Sequence, residues 1–396
     1  MVTRKESKEI LSVSNIYKVF GDKPDIAMNM LKEGAAKDEI FEKTGQAVGV
    51  VDASFSVNKG EIFVIMGLSG SGKSTMVRLL NRLIEPSAGT IRLNGRNITG
   101  LSDADLLQVR RRDMSMVFQS FALMPHMTVL ENAAFGLSVS GVNEKERHAR
   151  ASDALAQVGL AEHGASYPHQ LSGGMQQRVG LARALANDPA ILLMDEAFSA
   201  LDPLIRHEMQ GELIRLQREQ ERTIIFISHD LEEAIRIGDR IAIMEGGRVI
   251  QIGTPKEILT NPANDYVETF FKGVDVSKVL KAGDIARPQP DSQIRVNGKV
   301  PPFAATEQSP FGYLVDEAGG FKGVIAPREH AGKTPDLQTL LASRIDQHPG
   351  IYTDTPLHEV LDTVATTPYP IPVIDRDGTF HGTISRSQLL QTLSHR

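Results

Sequence analysis

Residues Gly67 to Thr75 read GLSGSGKST, between an apolar run, EIFVIMG (61–67), and a helical pattern, KSTMVRLLNRL (73–83). In that setting the spacing G-x-x-x-x-G-K-[ST] demands a buried strand that delivers a glycine-rich turn to a helix N-terminus. Backbone N–H groups can then wrap phosphates, because Gly67, Gly70 and Gly72 carry no side chain to hold them off, and the helix start adds positive potential. Ser69, Ser71 and Thr75 belong to the same loop. Lys73 is suited to bridge β and γ phosphates, and the Ser74 hydroxyl to ligate Mg2+.

Two further apolar runs precede helical patterns: AILLMD (190–195) before PLIRHEMQGELIRLQ, and TIIFIS (223–228) before DLEEAIRIG. Runs without polar alternation, each followed by a helix, are parallel strands buried on both faces, so this half is α/β. The chain has 396 residues, well over one domain of about 150. A stretch with four prolines in 16 residues, RPQPDSQIRVNGKVPP (287–302), suits neither helix nor central strand and predicts a boundary, with domains 1–284 and 285–396. Beyond it, VDEAGGFKGVI (315–325) aligns with IDRDGTFHGTI (374–384) at an offset of 59 residues. Asp316/Asp375, Gly319/Gly378, Phe321/Phe380, Gly323/Gly382 and Ile325/Ile384 match, which predicts a duplicated α+β unit of strand, turn, strand and helix.

Composition narrows the function classes. A formal charge of -6 argues against a dedicated nucleic-acid binder, which needs a concentrated basic surface. With no Cys there is no disulfide framework, thiolate metal site or cysteine nucleophile. The longest uncharged run, Met114–Leu130, is 17 residues and is broken by Gln119, Pro125 and His126, short of the roughly 20 apolar residues a spanning helix needs. The start, MVTRKESKEI, lacks the apolar segment of a signal peptide, so a cytoplasmic location is expected.

A phosphate loop alone allows GTPases, small-molecule kinases, helicases and transport ATPases; the later residues decide. LSGGM (171–175) runs into QQRVGLARALANDPAILLMDEAFSALD, and this resembles the signature, Walker B and D-loop of ABC ATPases in order. Gln119 in VFQS and His229 in FISHD complete the set; Met175 stands where the commonest signature has Gln. An N/T-K-x-D base-reading motif, expected of a P-loop GTPase, is missing. Asp195 ends an apolar strand, where it can hold Mg2+ through water, and Glu196 beside it can polarise the attacking water. The resemblance implies that His229 hydrogen-bonds the γ-phosphate region, that Gln119 contacts Mg2+ and senses the γ-phosphate, and that ATP is the nucleotide. It also implies that Ser172, Gly173 and Gly174 serve the loop of a second copy, with Asp202 at that interface. For adenine, Phe20 in YKVFG is the expected aromatic face over Tyr17.

Between Phe20 and Val50 lies an insertion (21–49) with a short helix-like pattern. With MDEAFSALDPLIR and NPANDYVETFFKG (261–273), it resembles the ATP-binding subunits of bacterial glycine betaine/L-proline importers, a group with which choline importers share much. A neutral surface elaboration is the other reading of the insertion. The resemblance implies a peripheral protein on the cytoplasmic face of the inner membrane. Its partners would be a second copy, two integral-membrane permease subunits and, indirectly, a substrate-binding protein. Choline or carnitine import and a soluble non-transport ABC ATPase are the alternatives. Phe121, Leu123 and Met127 belong either to the permease groove or to the core. The repeat resembles a tandem CBS pair, but Gln388 stands where a ribose-binding Asp is typical, and Ala326 and Glu329 depart likewise, while Ser385 fits. A regulatory role sensing ionic strength or a nucleotide, and a purely structural dimerising role, are all compatible with that pattern.

Overall fold

The computed structural model describes residues 9–118, 122–289, 292–296, 311–326, 337–342, 344–345 and 349–394. The chain divides at Lys272/Gly273 into two compact units. Unit 1 begins with β1 (Glu9–Phe20), α1 (Pro24–Lys32), α2 (Lys37–Thr44), β2 (Ala47–Asn58), β3 (Ile62–Met66) and α3 (Lys73–Leu80). It continues with β4 (Ala88–Leu93), β5 (Arg96–Asn97), α4 (Asp103–Arg112), β6 (Met114–Val117), α5 (Val129–Val139) and α6 (Glu144–Gln157). Then come α7 (Gly173–Leu185), β7 (Ile191–Asp195), α8 (Pro203–Gln220), β8 (Thr223–Ser228) and α9 (Leu231–Ile237). It closes with β9 (Arg240–Glu245), β10 (Arg248–Gly253), α10 (Pro255–Thr260) and α11 (Asp265–Phe271).

The three apolar runs read from the sequence are β3, β7 and β8, and every residue in them is buried. They lie side by side in a six-stranded sheet of order β10-β9-β3-β8-β7-β6, parallel except at the β9–β10 hairpin. This order brings the C-terminal ends of β3, β7 and β8 to one sheet edge, the place where open α/β sheets bind ligands. A second, antiparallel sheet of order β2-β1-β4-β5 packs its inner face on the first, with Phe55 stacked on Phe63 at 5.3 Å between centroids.

The insertion holds two helices, α1 and α2, where one short helical pattern was expected; Gly34, at φ +89°, lets the chain turn between them. Ala27, Leu31 and Ile40 bury themselves against Val19 and Val51 in a small core of their own.

Unit 2 contains α12 (Val276–Val279), α13 (Ala282–Ile285), β11 (Gln293–Arg295), β12 (Gly312–Val315), β13 (Phe321–Ile325) and α14 (Leu337–Ala342). The second half is β14 (Ile351–Tyr352), α15 (Leu357–Thr366), β15 (Ile371–Ile374), β16 (Phe380–Ile384) and α16 (Arg386–Ser394). Its start precedes the boundary read from the prolines. Residues 273–284 belong to unit 2 because their backbone bonds to its second half: Leu357 N to Leu280 O at 2.8 Å, Ala282 N to Thr355 O at 2.8 Å and Gly283 N to Thr353 O at 2.9 Å.

The repeat is visible ladder by ladder. Each half forms a three-stranded sheet, and Gly312↔Ile325 and Leu314↔Gly323 in the first recur 59 residues on as Ile371↔Ile384 and Val373↔Gly382. Gly323 and Gly382 share a left-handed backbone, φ +149° and +156°. The halves also pair with each other reciprocally, Phe321 N donating to Gly378 O and Phe380 N to Gly319 O, both at 2.9 Å. Of the residues that set this repeat apart from the CBS pattern, Gln388 is buried, its side chain bonded to Ser385 N at 3.0 Å and to Ile285 O at 3.0 Å. Ala326 is half-buried, and Glu329 lies outside the described residues.

Candidate active site

The loop after β3 is shaped by three glycines. A Cβ on Gly67, at φ +154°, would stand 2.2 Å from Met244 O and 2.7 Å from Ser71 Oγ. One on Gly72, at φ +102°, would stand 2.7 Å from Gly49 O, whereas Gly70, at φ +80°, faces open space. Lys73 opens α3 and is buried; its Nζ donates to Gly67 O at 2.9 Å and Leu68 O at 3.0 Å. An ammonium has three donors, so one is left to aim at an anion in the loop. Burial pushes the Lys73 pKa down, and the nearby carboxylates of Glu196 and Asp195 pull it back up. Ser71 Oγ is buried without a hydrogen-bond partner, an unmet polar group that a phosphate oxygen would satisfy.

Ser74 Oγ donates to Asp195 Oδ1 at 3.1 Å, so the helix start and the end of β7 present two oxygens together. Burial raises the Asp195 pKa, against the Ser74 hydrogen bond that lowers it. A carboxylate in that setting gains from a cation at the same spot, which fits Mg2+. Phe20 ends β1 beside α3: a Cβ on Gly49 would lie 2.8 Å from Phe20 Cε2 and 3.3 Å from Thr75 Cγ2. Phe20 is 38% exposed, while Tyr17 packs on the insertion core.

Next to Asp195, Glu196 takes a left-handed backbone at φ +47°, a cost of about 1 to 3 kcal/mol for a residue with a Cβ. Its N–H bonds to Ile227 O at 3.2 Å, and its carbonyl accepts from Ser199 N at 3.1 Å and Ser199 Oγ at 2.9 Å. This conformation turns the side chain to His229, which lies just after β8; Glu196 Oε2 and His229 Nδ1 are 3.3 Å apart. A small cavity there is lined by Glu196, Ser199, Arg206, Ser228, His229 and Asp230.

Behind this pair stands a network that motif reading did not single out. Arg206, in the first turn of α8, donates to the carbonyls of Phe198 (3.3 Å), Ser199 (3.4 Å) and Leu201 (3.1 Å) and pairs with Asp230 at 3.5 Å. Glu233 is buried beneath Ser228, whose Oγ donates to it at 2.5 Å, with Gln210 Nε2 at 3.0 Å on its other oxygen. Burial raises its pKa above the ordinary carboxyl range. A buried-charge signal was available for Glu233, in the apolar-facing position of DLEEAIRIG; Arg206 binds backbone carbonyls, which leave no trace in a motif.

Ser172 caps α7, accepting from Met175 N at 3.3 Å, and is exposed with Gly173. A Cβ on Gly174 would come 2.5 Å from Ile205 Cγ2, so glycine lets the start of α7 abut the start of α8. Asp202 caps α8 by accepting from Ile205 N at 3.1 Å. The fold thus joins the loop, Asp195, Glu196 and His229 in one group, and seats Ser172–Gly174 beside Asp202 in a second, outward-facing one. Gln119 and Phe121 lie outside the described residues; Leu123 and Met127 are half-buried in a turn held by the Asn132 amide, which donates to Met124 O and Met127 O.

The sequence profile of the ABC transporter family matches residues 50–199. The glycine betaine/proline betaine transport system ATP-binding protein ProV of Escherichia coli (strain K12) is 54% identical over 388 residues, 97% of each chain. The chain belongs to the ABC transporter ATP-binding family. As an ABC ATPase it binds ATP, and its hydrolysis is coupled to transport. Two other relatives of this cassette protein are the glycine betaine transport ATP-binding protein OpuAA of Bacillus subtilis (strain 168), 50% identical over 97% of this chain and 92% of the relative, and the glycine betaine/carnitine transport ATP-binding protein GbuA of Listeria monocytogenes serotype 1/2a (strain 10403S), 48% identical over 97% of each. An ATP-binding cassette solved as a dimer in a post-hydrolysis state, bound to ADP and Pi, is 30% identical and superposes with a TM-score of 0.53 over 62% of this chain and 98% of that one. Among the described residues of this ABC protein, no helix is long and apolar enough to cross a membrane.

Proposed function

We propose that this chain is the ATPase subunit of an importer for glycine betaine, proline betaine and related osmoprotectants. The observation that carries the reading is the reach of the likeness: 54% identity to the Escherichia coli protein extends over 97% of both chains, and so takes in the insertion and unit 2 as well as the cassette. Carnitine or choline import is the second reading, favoured by the carnitine in the name of the Listeria relative. A soluble non-transport role has less behind it, because relatives matching along nearly the whole chain are named as transport proteins.

In this reading the loop N–H groups, the Ser71 hydroxyl and the free donor of Lys73 bind the phosphates, and Phe20 stacks on adenine. Ser74, Asp195 and Gln119 would hold Mg2+. When bound, Mg2+ neutralises charge on the β and γ oxygens. Glu196 polarises the attacking water, and His229 orients that carboxylate and hydrogen-bonds the γ-phosphate region. The exposed start of α7, Ser172–Gly174, with Asp202 beside it, completes the site of a second copy. That gives two copies and two ATP molecules, docked on permease subunits at the cytoplasmic face of the inner membrane, with a substrate-binding protein reached only through the permease. Unit 2 is a tandem CBS-like regulatory domain. The inward bonds of Gln388 support a response to salt over binding of an adenosine ligand, since the side chain at the ribose-reading position is already committed.

The test is ATP-driven uptake of labelled glycine betaine by vesicles holding the assembled importer, abolished in Glu196→Gln. Uptake of choline or carnitine with none of betaine moves the assignment to the second reading, and no uptake of any of the three overturns both.

A further inference from the structure

The insertion meets the phosphate loop from behind. Its neck is the Phe20↔Ala47 pair of β1 and β2, closed by the buried Gln46, whose Oε1 accepts from Lys23 N at 3.2 Å. From its second helix a lysine reaches the returning strand and the β9–β10 turn. Lys37, first residue of α2, donates from Nζ to Val48 O at 2.9 Å, and a Cβ built on Gly247 would lie only 2.4 Å from that Nζ.

Val48 and Gly247 border a place where three backbones cross without room for side chains. Gly247, in the β9–β10 turn, accepts from Val51 N at 2.9 Å and donates to Ser71 O at 3.0 Å. A Cβ on Gly72 would meet Gly49 O at 2.7 Å and Gly247 Cα at 3.4 Å. The consequence for the loop is geometric. A peptide bond is planar and trans, so a Ser71 carbonyl held by Gly247 N–H aims the Gly72 N–H the opposite way, into the loop. The Gly247 N–H thus orients a donor that a phosphate would receive, and the Lys37 ammonium stands at the edge of the same turn.

We propose that the insertion is a brace for the nucleotide site, with Lys37 as its positioning residue, setting ATP affinity rather than the hydrolytic step. The inference rests on the reading of Gly67–Thr75 as the phosphate site. A surface elaboration would leave Lys37 in water, where lysine ammonium groups ordinarily sit. Instead burial pushes its pKa down, with Arg248 as the next cause and Asp38 opposing them, while its ammonium donates to the carbonyl of Val48.

The experiment uses the full chain. Lys37→Met should raise KM for ATP by about three- to tenfold, the net worth of one ordinary hydrogen bond acting through the brace, with kcat unchanged. Lys37→Gln, which keeps a donor without the charge, should fall between, and Phe41→Ser on the exposed side of α2 should match wild type. Direct binding of a fluorescent ATP analogue should weaken in step with KM. Lys73→Ala separates the two readings: if it binds the analogue like wild type, the phosphate-site assignment fails. If Lys73→Ala loses binding while both Lys37 variants keep the wild-type KM, or lose kcat alone, the brace is overturned.

Discussion

Glu196 Oε2 lies 3.3 Å from His229 Nδ1, and Glu196 holds a left-handed backbone at φ +47° to reach it. A non-glycine residue stays in that conformation only when its surroundings over-determine it, here Ile227 O and the two donors of Ser199. The carboxylate is therefore aimed before substrate arrives.

Glu196→Gln should retain ATP binding and lose turnover by about a hundredfold or more, since an amide cannot polarise water as a carboxylate does. The measurement is single-turnover hydrolysis beside size-exclusion chromatography with ATP, in which the variant should elute as a stable dimer. Turnover close to wild type would remove Glu196 from the chemistry.

Each site should need two chains. Lys73→Ala subunits and Ser172→Ala subunits, each impaired alone, should regain activity when mixed, because one heterodimer interface joins an intact loop to an intact α7 start. Activity of wild type should rise with a Hill coefficient above one. Failure of rescue at every mixing ratio would favour catalysis within one chain.

Arg206 ties the carbonyls of Phe198, Ser199 and Leu201 to Asp230, the neighbour of His229. Arg206→Ala should lower kcat by about tenfold while leaving KM for ATP near wild type, as expected for a residue that positions through others. Arg206→Lys should recover little, because one ammonium cannot span three carbonyls and a carboxylate. A rise in KM with kcat intact would place its effect on binding instead.

Glu233 predicts a pH dependence. Its folded pKa is raised by burial, so the folded state holds this proton more tightly than the unfolded chain does. The stability it contributes is present below the unfolded carboxyl pKa and is lost as pH rises through the folded one. Glu233→Gln should flatten that part of the curve, read as thermal midpoints from about pH 4 to about pH 8. An unchanged slope would assign the dependence to Asp195 or Asp113, both of which burial shifts the same way.

Ending the chain at Lys272 should leave ATPase activity intact and alter the salt response of uptake, since charges at a subunit contact are screened over about 8 to 10 Å at cellular salt. Ending it at residue 285 should be worse tolerated, because α12 and α13 would lose their backbone partners at 353–357. A truncated importer with the full-length salt response would make unit 2 structural.

The catalytic half was legible because its signals are local or lie in single strands. β3, β7 and β8 are covered on both faces and so read as apolar runs, and the Gly67–Thr75 loop is one contiguous segment. What stayed hidden depends on distant partners. Arg206 binds carbonyls, and the second insertion helix is held by tertiary packing of Ile40 against Val19 and Val51. The prolines marked a change of composition, yet the division falls earlier, since hydrogen bonds from Leu280 to Gly283 commit that stretch to unit 2.

The reciprocal bonds between the hairpins of unit 2, Phe321 N to Gly378 O and Phe380 N to Gly319 O, make each repeat part of the other's edge. Removing either copy would leave an unpaired strand donor on its sibling, and open strand edges recruit other chains. The two repeats therefore close each other's edges and stand or fall as one folding unit.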